Sequence, residues 1–504
     1  MAATAWSVLP PVITIILALW TKEVYMSLII GILSGALLFA GGNPLEAIIT
    51  MFTVMSDKVG KNVNILVFLV ILGILVAAIA RSGATRAYGE WAARTINSKR
   101  KASLVTALLG IVIFIDDYFN CLTVGTVMRP ITDKFKIART KVAYIIDATA
   151  APVCIIAPVS SWAAAVGSSL PEDSGLDGFG LFLQTIPFNL YAWLTLIFML
   201  FIIWTGRDFA TMRQSVLENE KEFQIPDEYK AEEAAASKVE EGHGSILDLI
   251  LPLVVLIAAC IFGMLYTGGI MEGKGVAKAF ADCDSAQSLV LGSFIAFVFT
   301  GLLYLPRRVV TFNSFCDSFG WGFKAMTPAI FILCLAWTLS GICSDQYLNL
   351  GGFVGAVVNN NASVISFLPP IFFLVAAGLA FATGTSWGTF AILIPIAVAI
   401  LGTGDANMLV LCITAILSGA VSGDHASPIS DTTILASAGA QCHHIDHVST
   451  QVPYVAVVVA CCLVGYIVDG VTANGWLGLA AALVCILAAM AIIRSKFTPV
   501  AQDD

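Results

Sequence analysis

Apolar residues gather in blocks at roughly 7–21, 24–40, 63–80, 187–204, 246–265, 287–305, 326–343, 452–470 and 475–493, and four less regular stretches lie between them. About 20 residues of helix cross the hydrocarbon of a bilayer, so these blocks predict membrane-spanning helices, the first two being short. Four polar interruptions stand inside apolar surroundings. GIVIFIDDYFN carries Asp116 and Asp117, and DATAAPVCIIAPVSSW runs from Asp147 to Trp162. TGTSWG holds Thr385 and Ser386, and GDHASPISDTT holds Asp424 and Asp431. A charged side chain at bilayer depth costs roughly 2.5–3.5 kcal/mol on the insertion scale, so such residues are expected to face a wet path and to bind something.

Basic residues give the topology, because positively charged loops stay on the cytoplasmic side. Six Lys and Arg fall in 81–101, five in 129–141, five in 205–245, three in 306–324 and two at 494–496. The loops 170–186, 343–364 and 402–407 hold none. Residues 102–128 therefore enter and leave from the cytoplasm, as a re-entrant helical hairpin with its tip at Asp116 to Asn120. Residues 365–401 dip in from the opposite side with a tip at Thr383 to Gly388. Exposed backbone at such tips is tolerated only against protein or a wet cavity. An interrupted segment follows each hairpin, at 142–168 with Pro152 and Pro158 and at 408–440 with Pro428. Proline removes a helix hydrogen bond and crowds the preceding turn, so both are expected to be broken helices.

The expected fold is an all-α polytopic membrane protein of two inverted repeats, each with a re-entrant hairpin and a broken transmembrane helix. The first repeat is 1–204, a linker spans 205–245, the second repeat is 246–470, and 471–504 adds a last helix and tail. The N-terminus is expected outside and the C-terminus in the cytoplasm.

Composition agrees with a membrane protein. Of 504 residues 58% are hydrophobic and 12% charged, about half the charged share of a soluble domain. The net charge of −8 is no sign of an acidic binding surface, since ten acids lie in 208–241. The 12 cysteines stand mostly singly in apolar spans and read as small core residues. The N-terminus lacks a basic region and a small-residue cleavage site, so the first apolar block is expected to be a retained span. No nucleic-acid partner is expected. The expected partners are the lipid bilayer, sodium ions and protons, with a small organic solute and a homodimer as further candidates.

At a broken helix, free carbonyls can ligate a cation and free amides an anion, and neighbouring hydroxyls and carboxylates complete a shell of hard oxygens suited to sodium. The candidate binding residues are Asp116, Asp117 and Asn120 in the first hairpin and Asp147, Ser160 and Ser161 in the first broken helix. Thr385, Ser386 and Trp387 belong to the second hairpin, and Asp424, His425, Ser427, Ser430, Asp431 and Thr432 to the second broken helix. Sodium is assigned to Asp431, Asp424 and Asp117. Burial favours the protonated acid and a bound cation the carboxylate, so protons and sodium compete for one group and exchange needs no further coupling device. No cofactor is expected beyond these ions.

Other motifs weigh less. His443-His444-x-x-His447 has helix spacing but falls in the expected cytoplasmic loop 441–450. His425 suits proton transfer, as imidazole titrates near neutrality. Gly384-Thr385-Ser386-Trp387-Gly388 matches the GxSxG pattern of serine hydrolases, which has meaning only on a strand-to-helix turn. A membrane hydrolase using Ser386 and His425 is therefore a remote alternative. Trp162 and Trp387 shape a solute pocket or simply pack helices.

GTSWGTFAILIPIAV (384–398) and SGDHASPISDTTILAS (422–437) resemble the NhaC-type sodium/proton antiporter family, a branch of the larger ion-transporter superfamily. FIDDYFNCLTVG and the Ala-Pro stretch at 151–158 are similar in kind. The resemblance implies a bacterial inner-membrane location, sodium-coupled exchange, an elevator movement, and a site lined by Ser386, Asp424, Ser427, Asp431 and Thr432. Members of the family differ in cargo, some carrying malate and lactate or amino acids. The leading expectation is sodium/proton antiport. The competitor is sodium- or proton-coupled transport of a small carboxylate or amino acid.

Overall fold

The computed structural model of the chain describes residues 4–500 apart from 22, 172, 173, 175, 222–241, 282, 351, 352, 354–364, 403 and 404. All regular secondary structure among them is helical. Seven helices are long and apolar enough to cross a bilayer, or up to nine if each of two bent pairs counts as one span. The chain is a multi-pass membrane protein. Large apolar side chains such as Leu302, Trp321 and Val484 remain exposed on the outside of the bundle, where a bilayer takes the place of a protein partner.

Local chemistry sets the helix ends. Asn43 accepts hydrogen bonds from the amides of Leu45 and Glu46 ahead of Pro44, whose missing N–H costs nothing at a helix start. Asp405 starts Ala406–Ala426 by accepting from Met408, and Asn474 starts Gly475–Lys496 in the same way.

Three stretches depart from the expected pattern. Val24–Phe39 is followed by Pro44–Lys61, a helix too polar to stand out as an apolar block, and the two meet at 116°. The block at 326–343 is the end of a longer helix, Phe312–Cys343. The linker 205–245 opens with a helix, Ala210–Lys221, anchored where Thr211 donates to the Ser449 carbonyl (2.7 Å) and Arg213 to that of Thr498 (2.7 Å). The rest of that linker, 222–241, and most of the loop 343–364 lie outside the described residues.

Packing divides the helices into two groups. Val24–Phe39, Pro44–Lys61, Val63–Arg81, Ile246–Thr267, Ser285–Tyr304 and Phe312–Cys343 pack chiefly on one another. The remaining group holds the interrupted segments. Its tightest seam joins Leu368–Thr383 to Ala406–Ala426, where a methyl on Gly423 would lie 2.1 Å from the Ala377 carbonyl oxygen. In lipid, where burying apolar surface between helices gains little, close approach through small residues supplies the packing.

Candidate functional site

All four sequence interruptions are places where a helix stops and a new one starts. Lys99–Val112 gives way to Asp117–Lys134, and Arg139–Thr149 and the short Ala151–Cys154 give way to Ser161–Ser168. Leu368–Thr383 gives way to Ser386–Leu401, and Ala406–Ala426 to Asp431–Ala440. Each restart follows one rule. Asp116 accepts from the Phe119 amide (3.0 Å), Ser160 from Ala163 (3.1 Å), Thr385 from Gly388 (3.4 Å) and Ser430 from Thr433 (3.2 Å). These four side chains are helix caps, which satisfy amides that water cannot reach here. The residue after each cap, Asp117, Ser161, Ser386 or Asp431, begins a helix at its positive dipole end.

A first polar cluster lies around these starts. Asp116 accepts with its second oxygen from the Ser161 hydroxyl at 3.2 Å. Across the site Asp424 Oδ2 accepts from Ser386 at 2.9 Å and from Thr432 at 3.4 Å. Asp117 lies within electrostatic range of both Asp116 and Asp424. All three carboxyl groups are buried. Asp117 Oδ1 and Asp424 Oδ1 have no hydrogen-bond partner, and no ion pair reaches the three acids among the described residues. Buried carboxylates in this state are strongly unfavourable unless they take up a proton or a cation. Six side chains, Asp116, Asp117, Asp424, Ser161, Ser386 and Thr432, thus bring hard oxygens and negative charge together with no basic partner among the described residues, which is what a hard monovalent cation requires.

Beneath the cluster, the rings of Trp162, Trp387 and Phe390 meet at centroid distances of 5.8 to 6.0 Å. Both indole N–H groups are buried; that of Trp387 has no partner, and that of Trp162 lies beside the Asp117 carboxyl group. A cavity of about 490 Å³ opens beside helix Ser386–Leu401, lined by Ala391 and Pro395 of that helix and by Ser340, Ser344 and Asp345.

Asp147 belongs to a second cluster. Its Oδ2 accepts from Thr433 (3.0 Å) and Gln451 Nε2 (2.7 Å) and lies 3.4 Å from His447 Nε2. His425 bridges from Tyr191, at 3.0 Å from its Nδ1, to the Asp147 carbonyl oxygen, 2.8 Å from its Nε2. Every one of these side chains is fully buried.

The remaining candidates take structural places. Asn120 donates to the carbonyls of Gly110, Ile113 and Thr149, stitching the first hairpin to the first broken helix. Ser427 donates to the Phe381 carbonyl at 2.8 Å. Asp431 is exposed, with Tyr118 donating to it at 3.3 Å, and lies within electrostatic range of Asp424. Ser386 bonds to Asp424 and not to His425, whose nitrogens are engaged elsewhere, so the Ser386–His425 pair that the hydrolase alternative needs is not formed.

His447, Gln451, Tyr191 and Thr433 are functional candidates that the sequence reading passed over. The stretch 441–450 is not a loop: helix His444–Thr472 begins within it and turns His447 inward. The i, i+4 spacing of His447 and Gln451 at the start of an apolar helix was the available signal, since it puts both on one face.

A family model described as the Na+/H+ antiporter family matches residues 172–471. An uncharacterised protein of Haemophilus influenzae is 38% identical over 512 aligned positions, covering 98% of this chain and 96% of that protein. A malate-2H(+)/Na(+)-lactate antiporter of Bacillus subtilis is 30% identical over 211 positions, 36% of this chain and 43% of the relative.

Proposed function

The chain belongs to the Na+/H+ antiporter family, a family of secondary transporters, and we propose that it exchanges sodium for protons across the bacterial inner membrane. The observation that carries this reading is the buried cluster of Asp116, Asp117 and Asp424, with hydroxyls on two of its acids, unpaired oxygens on two and no basic partner among the described residues. A sodium ion satisfies the free oxygens and offsets the charge; protons do the same. An empty, charged cluster is the state least suited to move through the low-dielectric interior, so alternate loading by the two ions gives exchange.

Two sets of opposed breaks support an arrangement of inverted repeats, with re-entrant hairpins at 102–128 and 365–401. The division of the helices into a group holding the interruptions and a group outside it supports an elevator movement of one against the other. The distribution of Lys and Arg favours an outer N-terminus and a cytoplasmic C-terminus.

The test is transport by the purified protein in liposomes with an internal pH dye. Acid-loaded vesicles are expected to become alkaline inside when sodium alone is added outside. A second reading, ion-coupled transport of a small carboxylate, is favoured by the unpartnered indole donor of Trp387 and by similarity to the malate/lactate antiporter. A response that requires malate, lactate or an amino acid overturns the first reading in favour of the second.

A further inference from the structure

We infer that Asp147 and His447 form a second binding centre, for a proton, separate from the cation cluster and mechanically joined to it. The inference rests on the antiport reading and adds a second proton site to the one at the cluster, where protons and sodium alternate.

Hydrogen-bond valence identifies the pair. A backbone carbonyl only accepts, so the 2.8 Å contact between His425 Nε2 and the Asp147 carbonyl oxygen requires a proton on that nitrogen. Nδ1 of the same ring lies 3.0 Å from the Tyr191 hydroxyl, and Nε2 also lies 3.4 Å from Asp147 Oδ1. With both nitrogens engaged, His425 ties Tyr191 to Asp147 and serves as a link.

His447 differs. Neither of its ring nitrogens has a hydrogen bond, and Nε2 faces Asp147 Oδ2 at 3.4 Å. Asp147 Oδ1 is also without a hydrogen bond, with His425 Nε2 3.4 Å away. The pair therefore has room for one added proton, held between carboxylate and imidazole, in a place that water does not reach.

The surrounding groups do not neutralise it. Facing the pair are Tyr191, Cys121, Asp424 and His425 from other helices and Cys442 beside the His447 amide, and Tyr144 lies on Asp147's own helix. Arg139 and Lys141 at the start of that helix are engaged by Asp133 and Asp208. On the helix of His447, His444 contacts Ser437 and the Pro428 carbonyl, and Asp446 is exposed, as is Asp431 on the neighbouring helix.

Two pairs of consecutive residues join the centres. Asp424 faces Ser386 while His425 faces Asp147. Thr432 donates to Asp424 while Thr433 donates to Asp147. Any shift of 424–425 or 432–433 that tightens one centre alters the other, which is how occupancy of two separate sites becomes coupled.

The experiment measures two fluxes from the same purified full-length protein in liposomes: ²²Na counterflow into sodium-loaded vesicles, and sodium-driven proton movement by internal pH dye. His447→Gln is expected to lose about tenfold or more of the proton flux while ²²Na counterflow stays within about twofold of the unmodified protein. Elution and melting in detergent establish that the variant is folded, and His447→Asn replaces it if it is not. Equal loss of both fluxes by a folded variant, or a proton flux within about twofold of the unmodified protein, overturns the inference. Failure of the antiport reading looks different: the unmodified protein then shows no ²²Na counterflow. The same comparison is in that case read on labelled malate or lactate.

Discussion

Asp424→Asn isolates the charge of the cation cluster from its shape. Asparagine keeps an oxygen that can accept from Ser386 and Thr432, so the substitution removes one negative charge and little packing. A cation held about 4 Å from that charge, at an effective dielectric near 20, loses about 4 kcal/mol, which is roughly three orders of magnitude in Kd. At a sodium concentration of about 100 Kd the unmodified protein gains about 2.7 kcal/mol of stability from binding, whereas the variant gains about 0.1 kcal/mol.

The sodium-free comparison carries the opposite sign. Asp117, Asp147 and Asp431 lie within electrostatic range of Asp424, so removing its charge relieves repulsion, and the variant is expected to melt at or above the temperature of the unmodified protein. The assay is thermal unfolding in detergent with sodium against potassium at equal ionic strength, beside ²²Na uptake in liposomes. Persistence of the sodium-induced shift, or a clear fall in the sodium-free melting temperature, would refute the assignment of Asp424 as a charged ligand.

Asp431→Asn is expected to weaken sodium-driven flux by less than about tenfold, because its carboxylate makes no contact with the hydroxyls that meet Asp116 and Asp424 and is bonded by Tyr118 instead; the same liposome assay compares it with Asp424→Asn. Gly384→Ala is expected to cost roughly 1–3 kcal/mol and to lower ²²Na uptake, since φ is +68° and the new methyl would lie 2.3 Å from the Ile429 carbonyl oxygen, two residues before Ser386. Lys141→Met leaves Asp208 buried with Tyr454 as its remaining partner and is expected to destabilise by about 3–5 kcal/mol. Adding Asp208→Asn should restore much of that melting temperature.

The membrane helices were legible because a bilayer demands long apolar blocks, and the interruptions were legible because polar residues and prolines are costly there. The cap-and-start pairs Asp116–Asp117, Ser160–Ser161, Thr385–Ser386 and Ser430–Asp431 are visible in the sequence once their common form is known. Pro44–Lys61 escaped notice because Glu46, Asp57, Lys58 and Lys61 dilute its apolar face. Asp147 and His425 were legible as candidates, but their grouping with Tyr191, Thr433, His447 and Gln451 was not, because the members come from five helices between Asp147 and Gln451 and spacing along one carries no information about the others.

The chain's own order of residues determined that it crosses a membrane, where its helices break and which acids stand at the breaks, since each is a local consequence of excluding water from the backbone. Only tertiary packing decided that Asp424 is buried with Asp117 while Asp431, seven residues on, reaches the surface, and that His447 turns in toward Asp147. The physical reason is that burial and pairing depend on which helices meet. Close approaches such as Gly423 against Ala377 set those meetings, across distances that local periodicity does not encode.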